Sequence, residues 1–240
     1  MVARQVTPEA PHALTIDIYS DVMCPWCLIG YGQLTKALAE LDGEIAAEIR
    51  WRPFELNPQM PAEGEEQEAH LQRKYGRSAE EGAGLRGRMK AIAEAAGVSL
   101  SYEGEGDAPP AMMWNTRLCH KLLAFALEQA GPQVQTELKL ALFRAHFNRR
   151  ERLGDRSVLL DIAASVGLHR EAAKAALDDP DLEARVLAEE HEAWDMNIAG
   201  VPAMIVANAS GVKFLIPGAQ EPEVYVNALR RVAAKSRTLH

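Results

Sequence analysis

Apolar residues recur at two different spacings along the chain, and each spacing predicts a type of element. Leu14–Ser20 combines β-branched and aromatic residues without a breaker, which predicts a strand. In Leu28–Leu41, apolar residues recur at steps of three and four, which predicts a helix. Ile45–Phe54 predicts a second strand. The N-terminal part is therefore expected to form a β-α-β unit.

The pattern becomes helical from about Glu63 to Ala199 and returns to strand after Gly200. Ala203–Ala207 is fully apolar, as in a strand buried on both faces. Val212–Ile216 follows after a short turn, so the two strands should pair as an antiparallel hairpin. A last helix is expected from Pro222 to about Ala234.

This order predicts an α/β protein whose sheet domain is interrupted by a large all-helical insertion. Residues 12–62 would form the N-terminal part of the sheet domain, and residues 200–236 its C-terminal part. Residues 63–199 would form the helical insertion domain.

Composition and charge narrow the classes of function. The chain has 240 residues, with 26 basic and 34 acidic side chains and a net charge of −8. This acidic balance argues against nucleic acid as a partner. No apolar run approaches the roughly 18 residues that span a bilayer, so no membrane partner is expected. The first residues lack the three-part form of a secretory signal, so we expect a cytoplasmic protein.

Cys24 and Cys27 form a C-x-x-C where the first strand gives way to the first helix. The unpaired N–H groups and the dipole of a helix N-terminus favour negative charge, so we expect Cys24 to be held as a thiolate. A thiolate can attack a disulfide and form a mixed disulfide. Cys27 lies one helical turn later, within reach of that bond. Pro25 suits an early helical position because its missing N–H would be unpaired there.

Two other interpretations of the cysteine pair are weaker. Half of a zinc site would need two further ligands, usually at short spacing. The remaining cysteine, Cys119, has only the adjacent His120 beside it, and neighbours on a helix point in different directions. We therefore expect no metal. Two buried, inert cysteines are less consistent with a position between a strand and a helix, whereas Cys119 fits the core face of its own helix.

A second candidate element is Gly200-Val201-Pro202, directly before the apolar strand. Proline cannot donate to a β-ladder, so its place at the start of a central strand needs a reason. A cis Val201–Pro202 bond would turn the chain sharply and leave the Val201 backbone free to pair with an extended substrate. An ordinary trans turn proline is the alternative.

These features together resemble the thioredoxin superfamily. The segment Ser20–Cys27, with Gly30 after it, is similar to the DsbA-like family and within it to the cytoplasmic FrnE-like dithiol oxidoreductase branch. The resemblance implies a thioredoxin fold with a helical insertion and thiol–disulfide oxidoreductase or isomerase activity. It implies that Cys24 is the nucleophile and Cys27 the resolving thiol.

The same resemblance assigns the residues around the cysteines. Val201 and Pro202 would form the substrate-binding loop, and Pro25 and Trp26 would tune the redox potential. Trp26 carries no charge and lacks the help of the histidine found in strongly oxidising relatives, so a milder oxidant is expected.

One position departs from the family pattern. Many relatives carry a buried acid six residues before the first cysteine, where this chain has Ile18. Asp17 and Asp21 are nearby, and either could relay protons to Cys27. Alternatively, Asp21 caps the first helix and Asp17 is a polar residue on a partly covered strand face.

The architecture also resembles 2-hydroxychromene-2-carboxylate isomerases and kappa-class glutathione transferases, which keep a single serine or cysteine at the active position. Two cysteines favour dithiol chemistry and leave glutathione open as a co-substrate. No tightly bound cofactor is expected. The expected partners are disulfide-containing proteins or small thiols, and the choice between monomer and homodimer is left open.

Overall fold

The computed structural model describes residues 10–61, 63–76 and 79–235. Within these ranges the strands are β1 (His12–Ser20), β2 (Ile45–Pro53), β3 (Glu65–Glu66), β4 (Met112–Met113), β5 (Ala203–Asn208) and β6 (Lys213–Pro217). The helices are α1 (Pro25–Glu40), α2 (Gln67–Tyr75), α3 (Ala79–Ala96), α4 (Arg117–Phe147), α5 (Arg156–Ser165), α6 (Arg170–Asp178), α7 (Pro180–Asp195) and α8 (Pro222–Ala234).

The main sheet has the order β2-β1-β5-β6 and draws its strands from both ends of the chain. β1 and β2 are parallel, as a β-α-β unit requires, and β5 is antiparallel to both β1 and β6. Because β5 runs against β1, its first residue Ala203 pairs with Tyr19 near the end of β1. The segment before β5 therefore lies at the C-terminal end of β1, close to the start of α1.

The two faces of the sheet are covered by different helices. Ile16 and Ile18 of β1 are fully buried on the face that carries α1 and α8, in one core with residues such as Leu34 and Leu229. On the opposite face, Tyr19 packs in a smaller core with residues of α7 and of the loop that follows it. This α/β architecture agrees with the predicted fold class.

The helical segment between β2 and β5 has its own core and also packs on the sheet. α4 contacts β2 and consists of two helical segments. The break that the sequence predicts at Gly131-Pro132 is confirmed: two helical segments of α4 meet there at a kink, where Gly131 has non-helical backbone angles, with φ +83°. A short ladder between β3 and β4 is an element that the sequence did not predict.

The limits predicted for the three segments remain predictions. Two of the limiting residues, 62 and 236, lie outside the described ranges. Over the described ranges, none of the helices is both long and apolar enough to cross a membrane.

Candidate active site

The cysteine pair lies at the junction between β1 and α1. Cys24 is the N-cap residue of α1 and Pro25 occupies its first turn, as the spacing predicts. The Cys24 N–H donates to the Asp21 carbonyl, and the Cys27 N–H donates to the Cys24 carbonyl, each at 3.1 Å. Both cysteines are free thiols. Cys24 is 5 % exposed and Cys27 is fully buried, so only Cys24 can be reached from outside.

The loop before β5 packs against Cys24. The Val201–Pro202 peptide bond is cis, in agreement with the prediction. The Cys24 thiol donates to the Val201 carbonyl at 3.6 Å, across 177 residues of sequence. Gly30 makes this close approach feasible, because a Cβ there would lie 3.0 Å from Cγ of Pro202. The two sequence motifs therefore meet in one site.

A cavity of about 600 Å³ opens beside Cys24. Pro25, Trp26 and Val201 line it next to the thiol, and residues of α2 and α3 form the other side. Its lining is mainly apolar, with side chains such as Leu71 and Met89. Trp26 is 38 % exposed at this position. The site therefore offers an accessible sulfur at the wall of a largely apolar groove.

The two thiols ionise as a coupled pair. The hydrogen bond with Cys27, burial and the charge on Cys27 together raise the pKa of Cys24 well above the usual range. Burial also opposes ionisation of Cys27, but the Cys24 thiol, the Lys139 ammonium group and the Ser20 hydroxyl outweigh it and lower the Cys27 pKa. A negative charge on either sulfur therefore opposes ionisation of the other. That the helix N-terminus holds Cys24 as the thiolate stays a prediction.

Lys139 is a buried cation that the sequence analysis missed. It lies on α4, is fully buried, and donates from Nζ to the Ser20 carbonyl at 3.3 Å. Its Nζ lies 5.2 Å from the ring centre of Trp51 and 4.9 Å from that of Phe143. Burial lowers the pKa of Lys139 to about 8, against the opposing effect of Cys27, Asp21 and the other thiols.

The two candidate acids lie in different places. Asp21 is buried at the junction, where its carboxylate accepts the Met23 N–H at 3.2 Å and the Leu56 N–H at 2.8 Å. Burial raises the pKa of Asp21. Asp17 is partly exposed and accepts from Arg52 Nε at 2.9 Å. Of the two, Asp21 is therefore the acid beside the cysteines, and Asp17 belongs to an ion pair.

The family model for DsbA-like thioredoxin domains matches residues 15–230 of the chain. The chain belongs to the DsbA-like family. This match covers both strands of the β-α-β unit, the helical segment and the C-terminal hairpin.

Relatives of this DsbA-like protein cover nearly its whole length. A probable DsbA oxidoreductase of Streptomyces coelicolor is 30 % identical, with 95 % of this chain and 93 % of that chain covered and a TM-score of 0.80. The uncharacterized protein YwbO of Bacillus subtilis is 27 % identical over 222 residues, which is 89 % of this chain and 94 % of YwbO. The cytosolic disulfide reductase DsbM of Pseudomonas aeruginosa is similar in fold, with 21 % identity, coverage of 92 % and 95 %, and a TM-score of 0.54. The FrnE-like branch within the family stays a prediction.

Within this DsbA-like chain, the structure brings together most of the predicted site residues, namely Cys24, Cys27, Pro25, Trp26, Val201, Pro202 and Asp21. Asp17 is not among them. Cys119 is fully buried in the core of the helical segment, and burial raises its pKa to about 12. Within the described part of the chain, no group of three or more potential ligands is placed to hold a metal ion.

Proposed function

We propose that the protein catalyses thiol–disulfide exchange through Cys24 and Cys27. As Cys24 attacks a substrate disulfide, the proton that the two sulfurs share passes to Cys27, and one substrate sulfur leaves as a thiolate. Cys27 then loses its proton and attacks the Cys24 sulfur. The Cys24–Cys27 bond forms, the bond to the substrate breaks, and the substrate is released reduced. In the opposite direction the same steps donate a disulfide.

A single observation supports this proposal most strongly: one sulfur lies on the wall of the groove, and the second is buried one helical turn later in the same core. An attacking thiol needs access, and a resolving thiol needs proximity to the first. The Asp21 carboxylate, with its raised pKa, is our proposed acceptor for the Cys27 proton.

The groove supports disulfide-containing proteins or small thiols as substrates. Its apolar lining suits an extended, partly unfolded segment, and the Val201 loop suits pairing with a substrate backbone. Glutathione is proposed as a co-substrate, with no tightly bound cofactor. We also propose a cytoplasmic location, which the cytosolic relative DsbM supports.

The test uses the reduction of insulin disulfides with glutathione as the electron donor. Cys24→Ser should abolish turnover, because the two remaining thiols, Cys27 and Cys119, are fully buried. Cys27→Ser should instead trap a mixed disulfide on Cys24, detectable by mass spectrometry. Cys119→Ala is the control and should retain turnover. Turnover that survives the loss of Cys24 would overturn the proposal.

A glutathione-dependent isomerase or transferase is the competing activity. That chemistry needs one anchoring sulfur or hydroxyl and makes no use of a second thiol, so the buried partner Cys27 favours dithiol exchange. The competing activity would be supported if Cys27→Ala bound glutathione at Cys24 while the wild-type protein reduced no disulfide.

A further inference from the structure

Lys139, a lysine of the helical segment, acts electrostatically on the cysteine pair. Lys139 is the residue on α4 whose charge lowers the pKa of Cys27, and it donates to the carbonyl of Ser20, the last residue of β1. Burying an ammonium group is costly unless an anion or several acceptors compensate it. The Ser20 carbonyl and the faces of the Trp51 and Phe143 rings compensate this charge only in part, so a negative charge nearby would stabilise it further.

The surroundings of Cys27 change when Cys24 is joined to a substrate. In the free dithiol, the single Cys24 S–H can turn from the Val201 carbonyl towards Cys27, where it favours ionisation of Cys27. In a mixed disulfide that donor has gone, because the Cys24 sulfur is bonded to the substrate. The Lys139 ammonium group and the Ser20 hydroxyl are then the side-chain groups left to favour a thiolate at Cys27.

The Ser20 hydroxyl is itself consistent with this arrangement. It is buried and has no hydrogen-bond partner of good geometry among the described residues. A buried hydroxyl without a partner is destabilising, because it has lost its hydrogen bonds to water. A thiolate at Cys27 would give it an acceptor.

We propose that Lys139 is a positioning residue of the exchange reaction, whose buried ammonium group holds Cys27 as a thiolate in the mixed disulfide and so promotes substrate release. This inference rests on the proposed roles of Cys24 and Cys27. In the step concerned, Cys27 gives its proton to Asp21 and attacks the Cys24 sulfur. The substrate leaves as a thiolate, and Lys139 keeps its proton throughout.

The other ionisable groups near the pair do not supply this charge. The groups that face Cys27 or Lys139 are Asp21, Cys24, Cys119, His120 and Tyr225. Burial raises the pKa of Cys119 and of Tyr225 to about 12, so both are neutral at pH 7. Burial lowers the pKa of His120 well below its usual range, so it is neutral as well. Lys139 is thus the cation of this set.

The variant that tests the proposal is Lys139→Met, which keeps an unbranched side chain against Trp51 and Phe143 and removes the charge. The matched control is Lys121→Met. Lys121 is also a buried lysine of α4, but it donates to the Leu177 carbonyl at 2.9 Å, in the helical segment. A general effect of losing a buried lysine should therefore appear in both variants.

The probe is 5,5′-dithiobis(2-nitrobenzoic acid), mixed with reduced protein in a stopped-flow instrument. Attack by Cys24 releases one coloured thiolate and leaves a mixed disulfide; attack by Cys27 releases the second. Lys139→Met should slow the second phase about tenfold at pH 7 and move its pH midpoint up by about one unit, because a nearby opposite charge lowers the pKa of a thiol by about one unit or more. The first phase should change less, and Lys121→Met should change neither.

The equilibrium with glutathione gives an independent readout. Loss of the cation destabilises the reduced form. In Lys139→Met, the equilibrium constant for forming the Cys24–Cys27 disulfide should therefore rise about tenfold, which corresponds to a reduction potential about 30 mV lower. Equal slowing of both phases, or unchanged rates and equilibrium, would overturn the role of Lys139. Absence of a first phase in the wild-type protein would instead refute the proposed function.

A measurement on the wild-type protein covers the case in which Lys139→Met does not fold. Linkage is reciprocal, so if Lys139 stabilises a thiolate, the thiolate must raise the pKa of Lys139. In carbon-13 NMR of the lysine Cε groups, one buried lysine should have a lower pKa in the oxidised than in the reduced protein. The same lysine pKa values in both redox states would contradict the proposal.

Discussion

Gly30 is the point where α1 contacts the loop that carries the cis bond, and a single methyl group there should disturb the site. A Cβ on Gly30 would lie 3.0 Å from Cγ of Pro202. This atom belongs to a ring, and the Pro202 carbonyl is held by the Gly218 N–H at 2.8 Å. The contact is therefore relieved by moving the loop, which shifts the Val201 carbonyl away from the Cys24 sulfur.

Two opposing effects set the stability of Gly30→Ala. Alanine is favoured over glycine inside a helix by about 0.8–1 kcal/mol. Overpacking against a fixed neighbour costs about 1–3 kcal/mol. The net change in unfolding free energy should lie between about zero and a loss of 2 kcal/mol. Gly87→Ala in α3 has nothing within 4 Å of the new Cβ, so it should gain up to about 1 kcal/mol.

The assay combines urea unfolding with the rate of insulin reduction. Gly30→Ala should fall about 1–3 kcal/mol below Gly87→Ala and lose up to about tenfold in kcat/KM, because small displacements of a reacting group are costly. Gly32→Ala is the control for stability alone, since its Cβ would lie 2.7 Å from the Ala96 carbonyl at the end of α3. It should lose stability and keep the activity of its folded fraction. A Gly30→Ala protein as stable as Gly87→Ala and fully active would refute the reasoning.

Two further predictions concern acids. The negative charge of Asp21 raises the pKa of Cys24, so Asp21→Asn should move the pH profile of the first attack to lower pH. Asp17→Asn should leave that profile in place, because Asp17 is paired with Arg52; equal shifts in both variants would contradict this assignment. Burial raises the pKa of Glu190 to about 8, so the folded protein binds this proton more tightly than the unfolded chain and stability should fall as pH rises from about 5 to 8. Glu190→Gln should flatten that slope in urea titrations, and an unchanged slope would show that Glu190 is not its source.

Much of the fold follows from the spacing of apolar residues. The apolar run Ala203–Ala207 becomes β5, between β1 and β6, and Pro222 opens α8 as predicted. The strand before the cysteines begins at His12, two residues before the predicted start, because pairing with β2 extends it. The break expected at Gly131 is present as a kink that divides α4 into two helical segments, because the positive φ of this glycine interrupts the helical backbone.

The site was predictable where chemistry is local in sequence and was missed where it depends on packing. The C-x-x-C and the Val201–Pro202 pair carry their own signals. Lys139 carries a weaker one: it lies between Leu138 and Leu142 in an apolar stripe, where a lysine is unusual. That spacing predicts that Lys139 is buried, but it does not predict which residues surround it. The approach of α4 to the cysteines depends on tertiary packing, which the local pattern does not encode. For the same reason, sequence distance could not separate Asp17 from Asp21.

The reduction potential of the dithiol therefore depends on a charge that the residues between the two cysteines do not supply. The dipeptide Pro25-Trp26 supplies no cation, and on that ground alone a mild oxidant is expected. Lys139 supplies one from the opposite side, which stabilises the reduced form and makes the disulfide more oxidising. Because its pKa is about 8, this contribution should be nearly complete at pH 7 and largely lost by pH 9. The reduction potential, corrected for the protons taken up by the thiols themselves, should thus decline across that interval in the wild-type protein and stay level in Lys139→Met.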